Sequence, residues 1–232
     1  MTEMKQDRIE LSGRECLLFA CDKPAYILIQ TLGRHEREGI VSLNEMIVSR
    51  CQVPFVASAF QVFDWSEDLM PWSDPAISRD PKVGQAAGTT LQFITDNLLP
   101  HLRALYGDLP VIIGGYSLGG LFALWASMQV DLFSAVAAAS PSLWIRNWPE
   151  YSSSRPVLTG KVYLSLGDRE EHVKNKSIAQ VGDRVRGEYE LLRSCLGEGN
   201  CILEWNAGGH FQDCESRLAD AYCWCLNSLN NA

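Results

Sequence analysis

The stretch Val111-Ile112-Ile113-Gly114-Gly115-Tyr116-Ser117-Leu118-Gly119-Gly120-Leu121-Phe122 decides how this chain folds. An apolar, β-branched run ends in two glycines, and a serine then opens a second apolar run. This order predicts a buried strand, a tight turn and a helix. The pattern Gly-x-Ser-x-Gly recurs by chance in many sequences, but its position between a strand and a helix makes it specific here.

The turn predicts an exposed nucleophile at Ser117. A serine at such a turn has an unfavourable backbone conformation that lifts its hydroxyl clear of the sheet. Gly115 and Gly119 lie two residues to either side, where bulkier side chains would collide. The helix N-terminus presents free amides, so we expect the N–H of Leu118 to bind a developing oxyanion. The competing interpretation is a glycine-rich turn with an N-capping serine.

A serine hydroxyl requires a general base, and histidine is the side chain suited to that role at neutral pH. The four histidines are His35, His101, His172 and His210. In hydrolases with this turn the base comes last, after the final strand. We therefore predict His210, within Ala207-Gly208-Gly209-His210-Phe211, as the base. A buried or capping histidine is the alternative.

The acidic member of a triad is expected between the serine and the histidine, after the predicted strand 161–166. The loop there reads Gly167-Asp168-Arg169-Glu170-Glu171-His172. We predict Glu170, because it lies three residues past the glycine, where the loop can turn back towards the base. Asp168 stays as the alternative. The acid would fix the imidazole tautomer and stabilise the imidazolium.

Further site residues are expected at the carboxyl ends of the strands, where ligands collect in sheets of this kind. The second oxyanion donor should follow the strand that starts at Ala25, with Thr31 and Leu32 as candidates. Four aromatic residues are predicted as possible lining of a substrate pocket: Tyr116, Trp144, Trp65 and Trp72. Trp144 is favoured among them because it directly follows a strand.

Short apolar runs alternate with helical patterns, which predicts a three-layer α/β domain over residues 1–232 with a mainly parallel, twisted sheet. The predicted strands are 8–11, 15–21, 25–31, 53–60, 111–114, 133–139, 161–166 and 201–206. We expect a long helix over 83–106 with an interruption near Pro100, and a last helix over 214–229 with Asp213 as its N-cap. Residues 64–82 read as an irregular loop. About 20 residues separate the strands ending at 139 and starting at 161, so we expect little or no lid.

Charge and composition limit the partners. The net charge of −8 makes nucleic-acid binding unfavourable. The sequence contains no run of 18 apolar residues, so it predicts no membrane span. The N-terminus lacks the apolar segment of a secretion signal, so we expect a cytoplasmic protein whose eight cysteines are free thiols. No Cys-x-x-Cys pair occurs, and we expect neither a metal nor another cofactor. The expected partner is a small-molecule ester, and the oligomeric state stays open.

Four blocks of the sequence together resemble a known family. They are residues 115–120, Ser140-Pro141-Ser142-Leu143-Trp144, residues 167–170 and residues 208–211. They resemble the serine esterases that include esterase D-like enzymes and enterochelin (ferric siderophore) esterases. The resemblance implies an α/β-hydrolase fold and metal-independent ester cleavage through an acyl-enzyme. It places the nucleophile at Ser117, the acid at Glu170 and the base at His210.

Two features depart from this family. The early oxyanion loop lacks the family's usual motif, and the acidic charge and the N-terminus without a secretion signal argue against a siderophore substrate. Family members also include acyltransferases. The prediction is therefore a carboxylic-ester hydrolase, with an acyltransferase on the same triad and a non-catalytic binding module on a hydrolase fold as alternatives.

Overall fold

An eight-stranded sheet forms the centre of the computed structural model, which describes residues 4–34 and 36–231. The strands are β1 (Lys5–Leu11), β2 (Arg14–Ala20), β3 (Tyr26–Leu32), β4 (Phe55–Gln61), β5 (Val111–Tyr116), β6 (Ala135–Ala139), β7 (Lys161–Gly167) and β8 (Cys201–Asn206). Their order across the sheet is β1-β2-β4-β3-β5-β6-β7-β8. The β1–β2 and β2–β4 pairs are antiparallel, and every pair from β4–β3 to β7–β8 is parallel. The mainly parallel α/β sheet expected from the sequence is confirmed.

Eight α-helices accompany the strands in this part of the chain. They are α1 (Arg37–Arg50), α2 (Trp65–Leu69), α3 (Ala87–Phe93), α4 (Leu99–Tyr106), α5 (Leu118–Ser127), α6 (Trp148–Ser153), α7 (Val181–Leu196) and α8 (Cys214–Asn230). α1 and α8 pack together and cover one face of the sheet, while α3, α4, α5 and α7 cover the other. The central strands are mostly apolar because both of their faces are buried; all seven residues of β3 and all five of β6 are buried.

The helix expected over 83–106 differs from the prediction at both its start and its interior. It begins at Ala87, and no break occurs at Pro100. A π-helical segment, Ile94–Leu98, instead joins α3 to α4 and places Pro100 in the first turn of α4. The first turn of a helix tolerates proline, because an amide there needs no partner within the helix. The widened turn therefore takes the place of a break.

Two other local predictions are wrong. Asp213 does not cap α8, because its backbone is left-handed with φ 53° and its side chain makes no capping hydrogen bond. An N-cap residue normally has extended backbone, which directs its oxygen at the helix amides. Residues 64–82 are not wholly irregular, since Asp64 accepts hydrogen bonds from Ser66 and Glu67 and so starts α2.

The carboxyl ends of the parallel strands meet at one edge of the sheet, and the turns after β5, β7 and β8 lie there together. The segment between β6 and β7 contains the six-residue helix α6, so any cover over this edge is small. Within residues 4–34 and 36–231, no helix combines the length and apolar character needed to cross a membrane.

Candidate active site

The turn after β5 holds Ser117 in a strained conformation, with φ 58° and ψ −118°. A residue with a side chain rarely adopts positive φ, and such strain is typical of functional sites. A Cβ atom at Gly115 would lie 2.6 Å from the backbone carbon of Gly119. The two glycines are therefore required by the close approach of strand and helix, as the sequence indicated.

The turns after β7 and β8 bring two side chains next to this serine. Nε2 of His210 lies 3.0 Å from Oγ of Ser117. Nδ1 of the same ring lies 2.6 Å from Oε2 of Glu170. The imidazole thus lies between a hydroxyl and a carboxylate, and it can receive a proton from one while the other fixes its tautomer.

Glu170 is 3% exposed and nevertheless held as a carboxylate. Burial by itself would raise its pKa, but hydrogen bonds from His210, from the N–H of Gly167 and from Ser140 together lower the pKa below its ordinary value. The Oε1 atom accepts from Gly167 N–H at 2.8 Å and from the Ser140 hydroxyl at 2.7 Å. An ionised Glu170 can therefore stabilise an imidazolium.

Asp168, the alternative acid, lies elsewhere. Its Oδ1 accepts the N–H of Gly208 at 2.8 Å, and its own N–H donates to the carbonyl of Asn206. These bonds tie the loop after β7 to the loop after β8. A Cβ atom at Gly167 would lie 2.4 Å from the Gly208 carbonyl oxygen, so the two loops approach as closely as glycine permits. Asp168 thus positions the segment that carries His210.

Arg217, which the sequence analysis did not single out, supports this arrangement from α8. It is 2% exposed, and its Nη1 lies 3.2 Å from Oε1 of Glu170 and 3.2 Å from the hydroxyl of Tyr116. Its Nη2 donates to the carbonyl of Ala207 at 2.9 Å. The Tyr116 hydroxyl in turn donates to the carbonyl of His210 at 2.7 Å. One buried guanidinium therefore holds the carboxylate and both sides of the histidine loop.

Ser142 is a second neighbour that the sequence analysis did not assign to the site. Its Oγ lies 3.1 Å from Oγ of Ser117, and its N–H donates to the Ser117 carbonyl at 3.1 Å. It belongs to the Ser-Pro-Ser-Leu-Trp block after β6, which carried a signal through the family resemblance. The first serine of that block, Ser140, holds Glu170, so this short segment contacts both ends of the Ser117–His210–Glu170 chain.

The predicted oxyanion residues have different surroundings. Leu118 is the first residue of α5, so its amide has no acceptor within the helix. Thr31 lines the cleft beside Ser117, and its Oγ1 would lie 3.0 Å from a Cβ atom on Gly119. Leu32 is 2% exposed; its side chain packs in the core beneath α1, and its carbonyl accepts from Val62.

Two clefts meet at Ser117 and His210 and contain three of the four predicted pocket aromatics. Trp65 lines both clefts, Tyr116 lines one and Trp144 lines the other. Trp72 lines neither. It packs against Trp148 and Tyr151 and donates through Nε1 to the Arg146 carbonyl, because its loop folds down onto α6. Within the described residues, no three side chains of His, Cys, Asp or Glu converge as metal ligands.

This fold, with a strained serine turn at the carboxyl edge of a parallel sheet, defines the α/β-hydrolase class. Residues 64–199, more than half of the chain, match the model of the family described as "Putative esterase". The chain belongs to that family and is an ester hydrolase. No curated protein sequence matches the chain significantly.

Solved structures with the same fold include three hydrolases of low sequence identity. Siderophore hydrolase EstA from Aspergillus nidulans has a TM-score of 0.75 at 17% identity, covering 100% of this chain and 96% of its own. An IroE-like serine hydrolase from Shewanella oneidensis has a TM-score of 0.74 at 17% identity, covering 94% and 78%. The enterobactin esterase FES from Shigella flexneri has a TM-score of 0.66 at 14% identity, covering 98% and 59%.

Proposed function

We propose that the protein cleaves a carboxylic ester through an acyl-enzyme, with Ser117 as nucleophile, His210 as general base and Glu170 as the orienting acid. One observation carries this proposal: a continuous chain of contacts from Ser117 Oγ to His210 Nε2 at 3.0 Å and from His210 Nδ1 to Glu170 Oε2 at 2.6 Å. Geometry of this kind identifies a triad independently of sequence position.

In the proposed reaction, Ser117 Oγ attacks the ester carbonyl carbon while His210 takes the hydroxyl proton. The carbonyl oxygen becomes an oxyanion, which the Leu118 N–H stabilises with Thr31 as the proposed second donor. When the intermediate collapses, the carbon–oxygen bond to the alcohol breaks and His210 returns the proton to that oxygen. Water then attacks the acyl-enzyme by the same steps, releasing the acid and restoring Ser117.

Water has access to this site, which favours hydrolysis over acyl transfer. The His210 side chain is 27% exposed, and both clefts beside it open to the surface. An acyltransferase on the same triad must exclude water while it binds an acceptor alcohol. Two of the similar structures are named as a siderophore hydrolase and an enterobactin esterase, which supports a small-molecule ester as the substrate.

The first test uses p-nitrophenyl acetate and a fluorophosphonate probe. The wild type should hydrolyse the ester and be labelled at Ser117, and Ser117→Ala should lose both. Acyl transfer would be supported instead if the probe labels Ser117 and p-nitrophenol is released only when an alcohol is added as acceptor. If the protein shows no labelling and no hydrolysis at neutral pH, the proposal is refuted and a binding module is favoured.

The identity of the acid is tested by a matched pair of variants. Glu170→Gln should lower kcat by about 10³-fold or more, because the amide no longer enforces the imidazole tautomer. Asp168→Asn should lower kcat by less than about 10-fold, since the amide oxygen still accepts the Gly208 N–H. The reverse order would assign the acid to Asp168.

A further inference from the structure

The two clefts at Ser117 differ in chemistry. The first, here called the apolar arm, is lined by apolar side chains from four separate segments: Ile77, Leu118, Trp144, Val173, Ile178 and Val181. It encloses about 330 Å³. Val173, one of these lining residues, is 42% exposed. Apolar groups that converge on an open void are the usual lining of a ligand pocket.

The second cleft, here called the acidic arm, encloses about 390 Å³ beside Ser117 and is lined by residues of α1 and α8. Its lining includes Ile40 and Leu218 together with two glutamates, Glu36 and Glu215, and Oε2 of Glu36 accepts the N–H of Gly33. The nearby Arg37 pairs with Glu15 and does not line the cleft. Among the described residues that line this arm there is no lysine or arginine, so we expect its two glutamates to favour a cation over an anion.

Two aromatic residues, Trp65 and Phe211, line both arms and flank the reacting groups. Phe211 is 91% exposed, with its ring edge-on to the His210 imidazole at a centroid distance of 5.0 Å. A substrate that extends into both arms would cover this exposed apolar surface beside the proposed base.

We propose that this site takes esters with two unlike halves: a bulky apolar group, of the size of a phenyl ring with a short chain, in the apolar arm, and a cationic group in the acidic arm. This inference rests on the proposed function. An anionic group in the acidic arm is disfavoured because it would meet two carboxylates.

The charge preference is tested with 3-phenylpropanoate esters of three alcohols: choline, its neutral isostere 3,3-dimethylbutanol, and 3-hydroxypropanoate. A second series exchanges the two halves, with 2-phenylethyl esters of 4-(trimethylammonio)butanoate, 5,5-dimethylhexanoate and glutarate. In one of these series kcat/KM should fall from cation to neutral to anion. The decrease in kcat/KM from the cationic to the neutral ester should be about five-fold at low ionic strength and smaller at high salt. The series that shows the preference identifies which arm holds the acyl group.

A matched pair of variants locates the effect. Glu215→Gln should reduce the ratio of cationic to neutral kcat/KM by about two-fold, because one of two nearby charges is removed. Glu198→Gln makes the same change in net charge at an exposed position on the loop after α7, and it should leave the ratio unchanged.

The apolar half is tested in the series that shows the charge preference, by comparing each phenylpropanoate with the corresponding acetate or each 2-phenylethyl ester with the corresponding ethyl ester. Filling the apolar arm should favour the phenyl ester about ten-fold or more in kcat/KM. Trp144→Ala should reduce this ratio, whereas Trp205→Ala, which removes an exposed tryptophan that packs on Arg186 away from the clefts, should preserve it.

The outcomes separate the two proposals. Ser117-dependent hydrolysis without a preference for the phenyl group, or with the anion equal to the cation in both series, would overturn the inference and leave the esterase proposal intact. An identical loss in Glu215→Gln and Glu198→Gln would also overturn it, because the charge effect would then be global. Absence of Ser117-dependent hydrolysis of every ester would overturn both.

Discussion

At the scale of single residues, the backbone bend at Ser117 depends on Gly115. Gly115→Ala would force a Cβ atom to within 2.6 Å of the backbone of Gly119, which no side-chain movement can relieve. We expect loss of fluorophosphonate labelling and a decrease in stability of about 2 kcal/mol or more, measured by urea unfolding. Gly187→Ala on α7 is the control, because its Cβ meets no neighbour; it should stabilise the protein by about 0.5–1 kcal/mol. Wild-type labelling in Gly115→Ala would contradict this account of the turn.

Arg217 acts through the groups that it holds and is therefore a positioning residue. Arg217→Met would leave the buried carboxylate of Glu170 without its guanidinium partner, so we expect a loss of about 3 kcal/mol in stability. If the protein folds, kcat should fall by at least about 10-fold, because a small displacement of His210 disrupts the reacting geometry, with KM little changed. Arg217→Lys should recover part of kcat by retaining the charge. A rise in KM as large as the fall in kcat, or the absence of any recovery in Arg217→Lys, would indicate a general packing defect.

The sequence identifies those site residues whose positions follow from strand ends and turn geometry. Ser117 and His210 each follow a recognisable strand, and Glu170 lies in a loop of few alternatives. Arg217 could not be identified in this way, because its partners are distant in sequence: Glu170, 47 residues away in the loop after β7, and Tyr116, 101 residues away on β5. Its one local signal is a charged side chain at a position of α8 that the helix buries beside Leu218.

At the scale of elements, the α6–α7 interface buries an acid that is not part of the proposed triad. Burial raises the pKa of Glu188 above its ordinary value of 4.5, although the hydrogen bond from Trp148 opposes the shift. Below pH 4.5 the carboxyl is protonated in both states. As the pH rises further the unfolded chain ionises first, so the folded state loses relative stability.

Glu188→Gln should therefore raise the melting temperature by a few degrees near pH 7 and by less near pH 4, since its amide oxygen still accepts the Trp148 N–H. Glu190→Gln, an exposed position on the same helix, should show no such pH dependence. Thermal melts at several pH values measure both. A gain for Glu188→Gln that is larger at pH 4 would contradict the assigned direction.

A strand or helix could be predicted from the sequence when all of its residues lie in the same environment, buried or exposed. β3 and β6 consist mostly of apolar residues, which indicate buried strands directly, whereas α1 gives a weaker signal because its buried positions include Asn44 among charged neighbours. The amide of Asn44 is satisfied by Gln30 on β3, a partner that local sequence does not reveal. The π-helical segment before Pro100 likewise depends on packing rather than on propensity.

At the scale of the whole molecule, the reaction rates of the eight cysteine thiols measure how readily the buried interior becomes accessible to a reagent. All eight are free; Cys195 on α7 is exposed, Cys214 is partly buried, and the other six are buried. Burial raises the pKa of Cys16 and of Cys201 to about 12, so both remain protonated near neutral pH. A protonated, inaccessible thiol reacts poorly with disulfide reagents.

We therefore expect an aromatic disulfide reagent at pH 7.5 to react rapidly with one thiol of the native protein, and Cys195→Ser should abolish that fast phase. The buried, protonated thiols of Cys16 and Cys201 should react only when the fold opens, and at the same rate if the sheet and its helices open together. A reductant should leave the melting temperature unchanged, because no disulfide is present to break. Rapid reaction of three or more thiols in the native protein would show that one helix layer opens independently, and the sheet would then have to hold the triad without its cover.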